Sequence, residues 1–249
     1  MGEPNSNANG TAEPSFLGSE PPPPTTGGPL WRALGGLKTM RPHQWTKNLV
    51  LLAALVFSLN FRDTHLLVVN LAAVGVFCLL SGAVYLLNDL KDREKDRLHP
   101  VKRSRPIASV RLSLTSSLIA LVVVLAGGIA GAAALGPGFL SVSIAFFVMN
   151  LAFSFVLMSR MLLDVMGIAA GFVLRALAGT EVLLDAGAEV EISPWLLMCT
   201  FFLSLVLALG KRRHELGAVE GAHRKSLRGY SVQLVDRLTT IAVAVTLLS

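Results

Sequence analysis

Residues 66–96 read LLVVNLAAVGVFCLLSGAVYLLNDLKDREKD, an apolar run from Leu66 to Leu87 that breaks at once into a charged segment. Twenty-two almost uncharged residues match the thickness of a bilayer's hydrocarbon core when wound as a helix. The charged segment places Asp89, Asp92 and Asp96 at i, i+3 and i+7. On a continuous helix these carboxylates would share one face, roughly two turns long. Such a cluster at the mouth of a membrane helix suits magnesium, which takes one or two carboxylates plus phosphate oxygens. The basic run that follows, with Lys102, Arg103 and Arg105, suits the phosphates. A solvated loop of alternating charge fits the spacing equally well.

The same apolar signature recurs along the chain. Mean hydropathy is +0.61 and 15% of residues are charged, outside the range of an ordinary soluble domain. Six spans are expected, near 48–60, 66–87, 112–134, 139–158, 161–183 and 194–210, with a seventh beginning near Leu234 and interrupted by the chain end. The fold class is an all-α polytopic transmembrane bundle, built from 31–249 behind a Gly-, Pro- and Asn-rich tail at 1–30, read as disordered. If the spans alternate, 20 of the 22 Lys and Arg fall on one side, the exceptions being Arg62 and Arg175. The positive-inside rule makes that side cytoplasmic, with the N-terminus and the aspartate loop on it, as in a multi-pass protein of the plasma membrane. The net charge of +6 follows from these loops and membrane-lipid attraction, and gives no argument for nucleic acid. Cys78 and Cys199 lie in different spans and read as packing residues.

Other positions carry weaker signals. Trp45 and Lys47 suit interfacial anchoring in the lead-in RPHQWTKN (41–48), and Gly127 and Gly131 suit tight helix packing. Asp164 and Arg175 lie in the fifth span, about 16 Å apart along a helix, too far to pair with each other. Arg175 therefore needs a partner from another helix, and an ion pair is the leading expectation, ahead of substrate contact. GKRRHE (210–215) opens a second basic loop, which also contains Tyr230.

Taken together, the NDxxDxxxD loop, the RPHQWTKN lead-in, GFVLRALAG (171–179), GKRRHE and LRGYS (227–231) resemble the UbiA superfamily of intramembrane prenyltransferases, nearest its decaprenyl-phosphate phosphoribosyltransferase branch. The resemblance runs from about Trp31 to Asp236. It implies transfer of the 5-phosphoribosyl group from phosphoribosyl pyrophosphate to a polyprenyl (decaprenyl) phosphate, with release of pyrophosphate, in the supply of cell-wall arabinan precursors. Asp89, Asp92 and Asp96, with Asn88 beside them, would then bind magnesium on the leaving diphosphate. Lys47, Lys102, Arg103, Arg105, Arg160, Lys211, Arg212 and Tyr230 would bind substrate. The basic GKRRHE loop stands where most relatives acting on aromatic acceptors carry a second aspartate-rich loop.

The chain also departs from the family. Phe153 and Met158 stand where a Tyr and a Lys are usual, and about seven of nine spans are present. Prenyl transfer to an aromatic acceptor and a non-catalytic membrane relative remain competing readings, and self-association is open.

Overall fold

The computed structural model describes residues 35–109, 112–155, 162–218 and 230–248. Among these the regular elements are helical, with no strand. A short helical stretch, α1 (35–39), leads through Arg41 into a 3-10 helix, Pro42–Leu51, and then α2, Leu52–Phe57. The long α3, Thr64–Lys91, is followed by the short α4, Arg93–Leu98. After a 3-10 turn at Lys102–Ser104 come α5, Leu114–Leu135, and α6, Pro137–Phe155. The remaining helices are α7, Leu163–Asp185, α8, Pro194–Ala218, and α9, Val232–Leu248.

Among the described residues five helices, α3 and α5 to α8, are long and apolar enough to cross a membrane. The span expected at 48–60 is instead divided. Its first four residues, 48–51, finish the 3-10 helix, and the α-helix after them has only 6 residues, ending before Leu59 at φ 60°. Pro42 supplies the fixed φ that starts the 3-10 helix, and Arg41 before it takes a left-handed conformation, φ 54°. The seventh apolar run forms α9, 17 residues long.

Helix ends follow ordinary capping chemistry. The Asp63 carboxylate accepts from the N–H groups of His65 and Leu66 at the start of α3, and Ser113 caps α5. At α6 the cap comes from another helix: Asp185, the last residue of α7, accepts from the N–H groups of Gly138 and Phe139. Its negative charge there also complements the α6 dipole.

Helices α3 and α7 form the centre. Half of the most apolar stretch of each is buried, against 11% for α5, whose outer face suits lipid. α3 packs on α5, α6 and α7, while α7 also touches α8, α2 and the 3-10 lead-in. Phe77 of α3 meets Phe139 and Phe146 of α6, with ring centroids 5.7 and 4.9 Å apart, and Leu51, Leu55 and Val182 complete the core. A side chain at Gly179 would run into the Leu51 carbonyl, so this glycine lets the lead-in lie directly on α7. The small face of α5 behaves in the same way, with Gly131 against Val76.

Candidate functional site

The ends of α3, α6 and α8 and the starts of α5, α7 and α9 gather with α4 at one end of the bundle. Here α3 stops at Lys91, and Asp92 leaves helical geometry, φ −90° and ψ 6°, before α4 begins. The expected single helical face carrying three carboxylates is therefore broken at its middle member. Asp89 and Asp96 are buried and come together, whereas the Asp92 side chain is 35% exposed and has Lys95 nearby at 3.8 Å. Among the described residues no three His, Cys, Asp or Glu side chains form a ready-made metal cage.

Two arginines hold the buried pair. Arg105 Nη1 donates to Asp96 Oδ2 at 2.7 Å and to Asp89 Oδ1 at 3.1 Å, and Arg41 Nη2 donates to Asp89 Oδ1 at 2.8 Å. Lys102 lies 3.9 Å from Asp96, and Arg103 is exposed beside it. Two carboxylates thus converge on one cationic nitrogen. This donor set fits magnesium, which binds through one or two carboxylates and fills its shell with phosphate oxygens and water.

A cavity of about 200 Å³ opens beside this cluster. Asn88, Val84, Tyr85 and Ser81 line it from α3, a spacing that selects one face of the helix. Gly167, Gly171 and Arg175 line it from α7, and Phe146, Asn150 and Phe153 from α6. Lys47 closes the wall from the 3-10 lead-in. Its ammonium is pushed below the ordinary lysine value, chiefly by partial burial and further by the charges of Arg175 and Lys211.

Arg175 is 9% exposed and does not make the expected ion pair. Among the described residues its partners are neutral: Nε donates to Asn48 Oδ1 at 2.9 Å and Nη1 to the Gly171 carbonyl at 2.8 Å. The Phe146 and Phe172 rings lie 4.7 and 5.3 Å from its guanidinium carbon. Asn48 is itself fixed, accepting from Ser81 Oγ and donating to Cys78 Sγ.

The residues of the second basic loop divide. Arg212 turns inward, donating from Nε to Asp164 Oδ2 at 2.8 Å and from Nη1 to Glu215 at 2.6 Å. Tyr230 donates to Asp164 Oδ1 at 2.5 Å and accepts from the Leu162 N–H at 2.9 Å. Burial and this bond to a carboxylate push the phenol up to about 12, so Tyr230 stays a donor at neutral pH. Both side chains tie α7 to α8 and α9. Lys211 is exposed. Arg160 and Met158 lie outside the described residues, while Phe153 is on the cavity wall.

Three participants were not singled out as site residues from sequence: Arg41, Asn48 and Arg175. Arg41 and Asn48 stood inside the quoted lead-in motif, and Arg175 carried the signal of a charge within an apolar run.

The sequence profile of the UbiA prenyltransferase family matches residues 49–249. A decaprenyl-phosphate phosphoribosyltransferase from Mycolicibacterium smegmatis is 34% identical over 239 residues, 90% of this chain and 71% of that protein. A protein of the same name from Mycobacterium tuberculosis is 33% identical over 221 residues, 86% of this chain and 72% of its own. Among solved structures, a UbiA homolog from Archaeoglobus fulgidus bound to DMAPP and Mg2+ superposes with a TM-score of 0.65 at 20% identity, covering 86% of this chain and 75% of that one. At that identity the likeness establishes the fold.

Proposed function

This chain belongs to the UbiA prenyltransferase family, and we propose that it transfers the 5-phosphoribosyl group of phosphoribosyl pyrophosphate to a polyprenyl phosphate, releasing pyrophosphate. The observation that carries this reading is the unequal charge of the cavity. Among the described residues its lining holds no carboxylate and its ionic side chains are the cations Lys47 and Arg175, while the Asp89 and Asp96 pair lies outside it, next to Asn88. One metal-held diphosphate and further anionic groups match that distribution, as does a donor with both a diphosphate and a 5-phosphate. The names of the two mycobacterial relatives point the same way.

In this reading Asp89 and Asp96 hold magnesium, with Asp92 free to swing toward it and Asn88 at the cavity wall. Bound there, the ion neutralises the negative charge that grows on the departing diphosphate. The chain's own groups do the rest. Arg41 and Arg105 orient the carboxylates, and Arg105 has donors to offer phosphate oxygens once a cation takes its place. Lys47, Lys102, Arg103 and Lys211 attract the phosphates and align the acceptor oxygen with the anomeric carbon. Because the acceptor phosphate is already anionic, no general base is needed. The site then faces the cytoplasm of a plasma-membrane protein, on the side selected by the positive charges.

The test compares two donors. Purified protein with magnesium and polyprenyl phosphate is given ribose-labelled phosphoribosyl pyrophosphate, or labelled geranylgeranyl diphosphate with an aromatic acceptor. The proposal expects label in the lipid fraction from the first. Label transferred only from the second replaces it with prenyl transfer, and transfer from neither favours a non-catalytic relative.

A further inference from the structure

Arg175 sits far from the aspartate loop for a side chain that shares its cavity. Ser81 and Asn88 both line the space from α3, and seven residues separate them, about 10 Å of helix. Asn88 is at the aspartate end, and Ser81 is at the level of Asn48, which holds Arg175. The two phosphorus atoms of one diphosphate cannot bridge that length.

Among the described residues the surroundings of Arg175 hold no counter-charge. A buried guanidinium is ordinarily matched by a carboxylate, because desolvating an unpaired charge is costly. Here its partners are an amide oxygen, a backbone carbonyl and two ring faces. Among the described residues no acidic side chain pairs with it, and its Nη2 has no hydrogen-bond partner. Of the titratable side chains sharing the cavity wall, Tyr85 is a phenol and Lys47 carries the same sign as Arg175. Asn48 spends its own polar atoms on Arg175, Ser81 and Cys78, which fixes the guanidinium in place. Gly171 supplies the carbonyl that turns Nη1 and leaves space beside it. Such a pre-positioned fork with free donors is the usual receptor for a phosphate.

We propose that Arg175 and Lys47, with Asn48 orienting the guanidinium, form a phosphate-monoester subsite in the cavity, Arg175 buried and Lys47 on its solvent-reaching side, separate from the aspartate loop beyond Asn88. The occupant's identity rests on the transfer reaction proposed above: it is either the 5-phosphate of the donor or the phosphate of the lipid acceptor. Occupied, the subsite fixes one reactant relative to the metal-held diphosphate.

The experiment is direct binding to detergent-purified full chain in magnesium-free buffer with chelator, using inorganic phosphate, ribose 5-phosphate and farnesyl phosphate as probes. Wild type binds at least one monoester without magnesium. Arg175→Gln weakens that binding about 10- to 100-fold, as expected for loss of charge-assisted hydrogen bonds. Lys47→Gln, at a position that reaches solvent, weakens it in the same direction and decides the matter if Arg175→Gln fails to fold. Arg213→Gln, which breaks an exposed pair with Asp236, leaves it unchanged. Preference for ribose 5-phosphate assigns the subsite to the donor, and preference for farnesyl phosphate assigns it to the acceptor. Unchanged affinity in a folded Arg175→Gln protein overturns the subsite, and so does failure of wild type to bind any of the three probes. Monoester binding by a wild type that transfers no phosphoribosyl group overturns the reaction while leaving the subsite standing.

Discussion

Replacing Arg105 with Ala removes the guanidinium that bridges Asp89 and Asp96. The two carboxylates lose unequally. Among the described residues Asp89 keeps Arg41 at 2.8 Å, whereas Asp96 keeps only Lys102 at 3.9 Å. Breaking one partner of a fully buried pair costs about 3–5 kcal/mol. The Arg105 side chain is 29% exposed, so water offsets part of that, and about 2 kcal/mol is expected. For a chain of this size that is a fall of roughly 4–8 °C in melting temperature, read in detergent without divalent ions. The sign of the magnesium effect is the sharper prediction. Without Arg105 the paired carboxylates are open to a cation, so magnesium raises the melting temperature of the variant more than that of wild type. Saturation at ten times its dissociation constant returns about 1.4 kcal/mol. An Arg105→Ala protein that melts with wild type refutes the bridging role. One that ignores magnesium refutes the assignment of this pair to a metal.

Two further substitutions probe the frame around the site. Tyr230→Phe deletes the hydroxyl between the Leu162 N–H and Asp164, at an expected cost of about 1–3 kcal/mol in a denaturation experiment. Because the folded phenol titrates at about 12, above its ordinary value of 10.0, the contribution is complete below pH ~10 and disappears as pH rises through 12. Wild type and Tyr230→Phe should therefore converge in stability across that window. Gly179→Leu forces a side chain into the Leu51 carbonyl, and overpacking of this kind costs about 1–3 kcal/mol or more. The protein should still insert but melt lower, and an unchanged melt would contradict the close approach of the lead-in to α7.

The apolar spans were legible because span length is set by the bilayer and needs no knowledge of partners. Leu66–Leu87 and the run beginning at Pro194 both became long helices in place. Residues 48–60 misled because hydropathy does not distinguish a straight helix from a 3-10 segment pressed against Gly179. The helix break at Asp92 was equally hidden, since NDLKDREKD contains no Gly or Pro to announce it. Asp89 and Asp96 were found by their spacing, but Arg41 was not, because its contact with Asp89 spans 48 residues of chain. For Arg175 the burial was foreseeable and the partner was not. An arginine in an apolar run implies some counterpart, and only the packed helices show that the counterpart is a neutral amide.

Asp92 offers the most direct test of the central claim that the aspartate loop holds the leaving diphosphate. Its side chain is partly exposed and has only a 3.8 Å neighbour in Lys95, so Asp92→Ala should change stability by no more than about 0.5 kcal/mol. Phosphoribosyl transfer by wild-type and Asp92→Ala protein is measured side by side in membrane vesicles with magnesium present. The account predicts a loss of activity of about 100-fold or more in a protein that inserts and melts normally. Transfer at the wild-type rate would contradict it.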